Sequence, residues 1–168
     1  MNLKAKIGLG TVQFGLDYGI SNDSGKTPKE EVKRILDFAR SEGIDTIDTA
    51  IAYGESEKVL GNLGVGNFKI ISKYLSESES KLTIDEQLKK SLRNLKMKSL
   101  YGYLAHRPKD VRSNSYQWDQ LKRFKEQGIV KKIGFSLNKP EELESLLSDG
   151  FQPDIVQVPF NYFDRRFE

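Results

Sequence analysis

Short apolar runs alternate with amphipathic helical patterns along almost the whole chain. The apolar runs predict six strands, at residues 6–10, 43–48, 68–72, 100–105, 131–136 and 154–159. Between them, apolar residues recur at helical spacing, as in the stripe of Val32, Ile35, Leu36 and Ala39. This alternation is typical of βαβ units with a parallel sheet. No linker or low-complexity segment interrupts it, so we expect residues 1–168 to form a single domain.

Three of the predicted helices begin with a capping-box pattern, in which a small polar residue precedes a glutamate by three positions. The pairs are Thr27 with Glu30, Thr83 with Glu86, and Asn138 with Glu141. In such a box the two side chains each accept a backbone N–H that the first helical turn leaves unpaired. The pattern therefore predicts helices that begin at these positions, the first with Pro28 in its first turn.

A regular βα alternation is compatible with an open doubly wound sheet or with a closed barrel. The doubly wound form commonly has a GxGxxG turn after its first strand. Gly8, Gly10 and Gly15 have the wrong spacing for this turn, and no helix follows them directly. A closed barrel of eight βα units needs about 250 residues, so a chain of 168 residues is short for it.

The composition argues against several classes of function. The net charge is +3, from 27 basic and 24 acidic residues that are interleaved, which argues against a nucleic-acid surface. There is no cysteine and only one histidine, and no carboxylates cluster at ligand spacing, so a disulfide framework or a metal site is not expected. No apolar run approaches the ~18 residues of a membrane span, and no signal-peptide core is present. We expect a cytoplasmic protein.

Four residues lie at or just after the carboxyl ends of predicted strands: Asp48, Tyr53, Lys73 and His106. A barrel builds its active site at this end. Reduction of a carbonyl by hydride transfer needs a proton donor beside the developing alkoxide, and a tyrosine with a pKa of about 10 needs positive charge nearby to act as one. Lys73 can provide that charge, Asp48 can hold the lysine protonated, and His106 can orient the substrate oxygen.

Each of these residues has an ordinary structural interpretation when taken alone. Asp48 could cap a turn, Tyr53 could be a packing residue, Lys73 a solvated charge, and His106 a core or surface histidine. Lys73 could also be a Schiff-base nucleophile. Only the conjunction of the four favours a reductase, while the absence of a GxSxG elbow argues against a serine hydrolase.

The segments that carry these residues resemble the aldo-keto reductase family. They are DTIDTAIAYGESEKVLG (45–61), ISKY (71–74) and YLAHRP (103–108), and the likeness extends from GLGTVQFG (8–15) to VQVPFNYFDRR (156–166). The resemblance implies a parallel (β/α)8 TIM-type barrel, incomplete here after about strand six, with the four residues as its catalytic tetrad. It also implies that this α/β protein reduces an aldehyde or ketone with NAD(P)H. The alternative is a non-catalytic module that binds a nucleotide on the same fold.

The resemblance further implies a cofactor site for NADPH, with NADH as the alternative. Gly10 and Thr11 match the turn beside the nicotinamide, while Ser136 and Gln157 match side chains that hold its carboxamide. The family commonly has Ser-Asn after strand five, where this chain has Ser136 followed by Leu137. We therefore expect Asn138 to substitute for the missing asparagine.

Family members continue with two further βα units, which grip the adenosine phosphate. A fragment of a longer reductase is favoured here over a truncated gene product or a half-barrel that assembles as an oligomer. We expect weakened cofactor affinity, and self-association through the incomplete barrel. The expected partner is a small-molecule carbonyl substrate, and the polar loop at residues 14–26 is compatible with a sugar-like or small polar one.

Overall fold

The fold is given by a computed structural model, which describes residues 7–76, 78–108, 111–112 and 114–168. Its strands are β1 (Gly8–Gly10), β2 (Thr46–Asp48), β3 (Lys69–Tyr74), β4 (Leu100–Ala105), β5 (Val130–Ser136) and β6 (Ile155–Gln157). They form one parallel sheet in sequential order, β1 to β6. A doubly wound sheet would reverse its strand order near the middle. The prediction of an incomplete (β/α)8 barrel is therefore confirmed, although Lys6 of the first predicted strand lies outside the described residues.

Helices follow five of the strands, and a short 3-10 turn at Val12–Phe14 follows β1 directly. The helices are α1 (Lys29–Ser41), α2 (Ser56–Leu63), α3 (Ile84–Leu95), α4 (Tyr116–Glu126) and α5 (Pro140–Ser148). The predicted stripe of α1 faces the core, with Val32, Leu36 and Ala39 fully buried. None of these helices, within the described ranges, is long and apolar enough to cross a membrane.

Three strands are shorter than the apolar runs predict. β1 begins at Gly8, so Ile7 of the first apolar run lies outside it. β2 begins at Thr46 rather than residue 43, because Gly43, with φ of 73°, turns the chain out of α1. β6 ends at Gln157 rather than residue 159. Pro159 has no N–H to donate to a neighbouring strand, so an apolar run that ends in proline overstates the strand.

One capping box is confirmed, one is displaced by a residue, and one is absent. Thr83 accepts the N–H of Glu86, whose carboxylate accepts the N–H of Thr83 in return. The prediction at Thr27 was wrong, because its N–H donates to the Gln13 carbonyl at 2.9 Å and Pro28 takes the cap position.

The last helix begins one residue later than predicted. The carboxylate of Glu142, rather than that of Glu141, accepts the N–H groups of Asn138 and Lys139, at 2.8 and 3.0 Å. The consequence is that Asn138 lies outside α5, on the loop that leaves β5.

The hydrophobic core fills the layer between the sheet and its helices. Trp118 of α4 stacks on Phe135 of β5, with ring centroids 4.9 Å apart. α2 and α3 approach each other at Gly61, where an added Cβ would stand 2.0 Å from the Asn94 carbonyl oxygen. This layer holds the strands in place and leaves their carboxyl ends to build a site.

Candidate active site

The carboxyl ends of three neighbouring strands bring the predicted tetrad together. Asp48 is the last residue of β2, Lys73 the penultimate residue of β3, and His106 directly follows β4. Tyr53 lies on the loop that joins β2 to α2. Since parallel strands end at the same edge of a sheet, residues far apart in sequence converge there.

The side chain of Lys73 is the centre of this group. Its Nζ lies 2.5 Å from Asp48 Oδ1, 3.1 Å from the Thr49 carbonyl oxygen and 3.3 Å from the phenol oxygen of Tyr53. An ammonium has three hydrogens to donate, so these partners use its whole capacity. The Lys73 side chain is only 1% exposed, and the charge is therefore held by protein groups rather than by water.

The surroundings set the protonation of the lysine and the tyrosine. Burial lowers the pKa of Lys73, and the Asp48 carboxylate opposes that change. Burial also raises the pKa of Tyr53 to about 12, with the negative charge of Asp48 and the neighbouring Tyr18 adding to the effect. The resting site thus holds Tyr53 as a neutral phenol, the form that a proton donor needs.

His106 stands at the edge of the same group. Its ring meets that of Tyr53 edge to face, with centroids 5.9 Å apart. Burial lowers the pKa of His106, and the positive charges of Lys73 and Arg107 lower it further, so the imidazole is neutral at pH 7. Its Nδ1 is buried and has no hydrogen-bond partner among the described residues.

The residues that the resemblance assigns to the cofactor lie along the same edge of the sheet, at strand ends. Gly10 ends β1 and is exposed, Ser136 ends β5, and Gln157 ends β6. The Oε1 of Gln157 is buried without a partner among the described residues, so it remains free to accept a hydrogen bond. Asn138 is exposed on the loop after β5.

Thr11, by contrast, is buried, and its hydroxyl donates to the Asp48 carbonyl oxygen at 2.8 Å. Leu137 is also buried, in the hydrophobic core, and contributes no polar side chain at the position where the family commonly has asparagine. The assignment of Gly10, Thr11, Ser136, Asn138 and Gln157 to the cofactor stays a prediction.

A chain of buried hydroxyl groups beneath the tetrad escaped the sequence analysis. Ser56 Oγ donates to Thr11 Oγ1 at 2.9 Å and lies 3.2 Å from Thr49 Oγ1. All three side chains are at most 1% exposed. These hydrogen-bonded hydroxyl groups connect the end of β1 to the end of β2 and to the first residue of α2. Hydroxyl residues at three separated positions carry no periodic signal that could have revealed it.

The loop after β1 fixes the backbone of Tyr53 by close contact. A Cβ added to Gly15 would stand 1.8 Å from the Tyr53 carbonyl oxygen and 2.4 Å from the Ser56 nitrogen. Only a glycine allows this approach. The backbone that carries the phenol is therefore set by a residue 38 positions earlier in the chain.

A cavity of about 280 Å³ opens beside the tyrosine and the histidine. Its lining consists of Val12, Leu16, Tyr18, Ala52, Tyr53 and His106. The first three belong to the segment after β1, where the sequence analysis considered only the polar character of residues 14–26. Among the described residues, no group of three or more histidine, aspartate and glutamate side chains could hold a metal ion.

Comparison with known proteins points to one family. The profile of the Aldo/keto reductase family matches residues 6–168. A structure from Pseudomonas aeruginosa, assigned to the aldo-keto reductases, is 31% identical with a TM-score of 0.79, covering 95% of this chain and 64% of its own. No protein with a curated description matches significantly.

Two further structures are similar. A thermostable aldo-keto reductase in complex with the inhibitor epalrestat is 26% identical, with a TM-score of 0.68, over 95% of this chain and 59% of its own. The aldo-keto reductase of the silkworm Bombyx mori, complexed with NADPH, is 25% identical with a TM-score of 0.70, over 92% of this chain and 51% of its own. The chain thus spans between about half and two thirds of these structures.

Proposed function

Because the chain belongs to the aldo-keto reductase family, we propose that it serves the NADPH-dependent reduction of an aldehyde or ketone to an alcohol. The observation that carries this proposal is the position of Lys73 Nζ, within hydrogen-bond distance of both Asp48 Oδ1 and the Tyr53 phenol oxygen. That arrangement provides a proton donor together with the charge that stabilises the donor's conjugate base.

Each member of the tetrad has a distinct part in this reaction. The phenol of Tyr53 donates its proton to the substrate oxygen as negative charge develops there, and the ammonium of Lys73 stabilises the phenolate that remains. Asp48 favours the charged form of Lys73. The neutral imidazole of His106 can donate one N–H to the same substrate oxygen, which orients the carbonyl and polarises it.

The strand ends fit a nicotinamide cofactor. Exposed Gly10 leaves room at the end of β1, since nothing lies within 4 Å of a Cβ added there. The Oε1 of Gln157 is buried and, within the part of the chain that the structure describes, has no hydrogen-bond partner, so it is suited to accept from a carboxamide. The silkworm relative is complexed with NADPH, which supports the same cofactor here. When bound, the cofactor supplies the hydride that the carbonyl carbon receives.

A Schiff-base reaction at Lys73 is less well supported. A nucleophilic amine must be free of its proton and of strong partners. The three hydrogens of Lys73 instead point to a carboxylate, a carbonyl and a phenol.

Substitution of Tyr53 by phenylalanine tests the proposal. We expect kcat for aldehyde reduction to fall by about 10²- to 10⁴-fold, the usual contribution of a general acid, while NADPH binding measured by fluorescence is unchanged. The same substitution at Tyr116, which is exposed on α4, is the matched control and should leave both unchanged. Full turnover in Tyr53→Phe would contradict the role of Tyr53. Binding without turnover in the unmodified protein would instead favour the nucleotide-binding module.

A further inference from the structure

Ser56 lies where the segments that carry the tetrad meet. A serine at the start of a helix commonly accepts a backbone N–H of its own first turn. In α2 the residue at the cap position is Glu55, and the buried hydroxyl of Ser56 is bonded to two other segments instead. Its Oγ lies 2.9 Å from Thr11 Oγ1 and 3.2 Å from Thr49 Oγ1. Helix capping therefore does not explain why this position carries a hydroxyl group.

The hydroxyl chain of Thr49, Ser56 and Thr11 has one possible direction. A carbonyl oxygen can only accept, so the hydrogen of Thr11 points to the Asp48 carbonyl oxygen at 2.8 Å. Each hydroxyl group has a single hydrogen. Ser56 must then donate to Thr11, and Thr49 must donate to Ser56. Hydroxyl groups aligned in this way strengthen one another's hydrogen bonds, so the removal of one weakens the others.

The hydrogen bonds of Ser56 reach all three partners of the Lys73 ammonium. Those partners are the Asp48 carboxylate, the Thr49 carbonyl oxygen and the Tyr53 phenol. Ser56 is bonded to the Thr49 side chain directly, and to the Asp48 backbone through one intervening hydroxyl group. Its N–H donates to the Tyr53 carbonyl oxygen at 3.0 Å. One buried residue thus connects the three residues that hold the ammonium.

We propose that Ser56 is a positioning residue of the reductase site, whose hydroxyl group and N–H fix the three residues that hold the Lys73 ammonium beside the Tyr53 phenol. This inference rests on the proposed carbonyl reduction and adds a residue that acts through the tetrad, without contact with the reacting atoms. Stabilisation of the phenolate depends on an ammonium at hydrogen-bond distance, and Lys73 Nζ lies 3.3 Å from the phenol oxygen.

Loss of the Ser56 hydroxyl changes the geometry of the site and leaves its charges in place. Ser56→Ala keeps the N–H that holds Tyr53, but it removes the acceptor of the Thr49 hydroxyl and the donor to Thr11. Buried polar groups without partners cost free energy, so the segment after β2 shifts to recover them. A shift of about 1 Å in a reacting group costs up to about 10²-fold in rate.

The kinetics of Ser56→Ala, with benzaldehyde as the probe aldehyde and NADPH as the reductant, test the proposal. We expect kcat to fall by about 10- to 100-fold. The KM values for benzaldehyde and NADPH should barely change, because Ser56 contacts the tetrad and not the substrates. An unchanged kcat, or a rise in KM without a loss of kcat, would overturn the proposal.

The Thr49 hydroxyl provides a second test that leaves Ser56 in place. Thr49→Val keeps the shape of the side chain but loses its hydroxyl, and should lower kcat, whereas Thr49→Ser keeps the hydroxyl and should retain kcat. Thr49→Val combined with Ser56→Ala should be no slower than the slower single variant, because both interrupt one hydroxyl chain. Equal kcat for the two Thr49 variants, or losses that multiply, would overturn the proposal.

Two other buried serines serve as matched controls. Ser91 lies on α3, and its hydroxyl has no hydrogen-bond partner among the described residues, so Ser91→Ala should change neither kcat nor stability. Ser72 directly precedes Lys73 and donates to the buried Glu57 carboxylate at 2.8 Å. Ser72→Ala should therefore destabilise the protein and yet retain kcat. A loss of kcat in Ser72→Ala as large as in Ser56→Ala would reduce Ser56 to an ordinary stabilising residue.

Hydrogen exchange of the Lys73 ammonium separates the inference from turnover. Within the described ranges Lys73 is the one lysine whose side chain is buried, so its ammonium hydrogens should exchange slowly in NMR spectra, with Lys73→Met identifying the signal. Ser56→Ala should speed this exchange, and Ser72→Ala should not. Faster exchange in Ser56→Ala, in a protein that reduces no carbonyl, would refute the proposed function and leave the positioning role standing. Unchanged exchange would refute the positioning role whatever the turnover.

Discussion

At the scale of single residues, the buried ion pair of Asp48 and Lys73 has a counterpart on the surface. Asp45 and Lys69 approach to 2.6 Å, almost the same distance as the 2.5 Å of the site, but both are about half exposed. Water solvates the surface pair whether or not it forms, whereas the ammonium of Lys73 depends on protein groups. The two pairs isolate the effect of burial at constant chemistry.

Substitution of either aspartate by asparagine should show that difference. We expect Asp48→Asn to lower the free energy of unfolding by about 3 kcal/mol, the lower end for breaking a buried pair, because Lys73 can escape part of the cost by losing its proton. Asp45→Asn should cost less than about 1 kcal/mol. Denaturant unfolding monitored through Trp118, the only tryptophan, measures both. Similar losses in the two variants would mean that burial does not govern the site pair.

His106 offers a direct measurement of the electrostatics of the site. Its titration by NMR should give a pKa below the ordinary 6.5, since burial and the charges of Lys73 and Arg107 disfavour the imidazolium. Lys73→Met removes one of those charges and should raise the value, while Lys69→Met, which lies at the other end of β3, should not. A His106 pKa above 6.5 in the unmodified protein would contradict this account.

The lowered pKa of His106 also makes the free energy of unfolding depend on pH. Since the pKa of His106 is lower in the folded state, the unfolded chain binds more protons as the pH falls through about 6.5. The contribution of His106 to the free energy of unfolding is therefore present above that pH and is lost below it, and His106→Asn should remove this part of the pH dependence.

At the scale of elements, the contact between α2 and α3 sets the position of the helix that follows Tyr53. Gly61 lies within α2 and is buried, and a Cβ there would stand 2.0 Å from the Asn94 carbonyl oxygen and 2.9 Å from the Leu95 Cα. Helix propensity and close packing thus make opposite demands on this position. Propensity favours alanine by about 1 kcal/mol, and packing forbids it.

The stability of the Gly61→Ala variant shows whether helix propensity or close packing dominates at this position. We expect it to destabilise the protein by about 1–3 kcal/mol, the usual cost of overpacking, because backbone atoms cannot move aside cheaply. Gly66→Ala is the matched control, since nothing lies within 4 Å of a Cβ at that glycine. Thermal unfolding followed by circular dichroism measures both changes. A rise in melting temperature for Gly61→Ala would show that α2 is free to shift away from α3.

At the scale of the whole molecule, the residues proposed to hold the cofactor span the sheet from β1 to β6. A ligand that contacts both ends favours the folded state over the unfolded one by mass action. Its effect on the melting temperature therefore reports on the whole set of strand ends, and not on one contact.

NADPH should raise the melting temperature, because its binding stabilises the folded state by RT ln(1 + [NADPH]/Kd), which is about 2.7 kcal/mol at a concentration about one hundred times Kd. Gln157→Ala should reduce that rise, because it removes the buried carbonyl that has no partner among the described residues. Gln152→Ala changes an exposed glutamine nearby in sequence and should leave the rise intact. An unchanged rise in Gln157→Ala would remove Gln157 from the cofactor site.

Much of the fold could be predicted from the sequence, because local patterns of apolar and polar residues encode the strands and helices. Alternation of apolar runs with helical stripes predicted six strands in a parallel sheet, while the barrel order came from the family resemblance. The position of Lys73 directly after an apolar run indicated a strand end. The strand termini were less predictable, as Gly43 and Pro159 show, since single residues override the apolar pattern there. The cap position of α1 moved from Thr27 to Pro28, where no side chain caps the helix. That of α5 moved from Asn138 to Lys139, because Glu142 rather than Glu141 provides the carboxylate.

The sequence by itself was enough to propose Asp48, Tyr53, Lys73 and His106 as the reacting residues, since their conjunction at predicted strand ends matches one kind of chemistry. Only the tertiary structure decided how they act. The pKa of Tyr53 depends on burial, the hydroxyl chain of Thr11, Ser56 and Thr49 joins segments distant in sequence, and the aliphatic cavity is formed by a loop whose sequence is polar. Burial and proximity are properties of the folded chain, because both depend on neighbours that the linear order of residues does not specify.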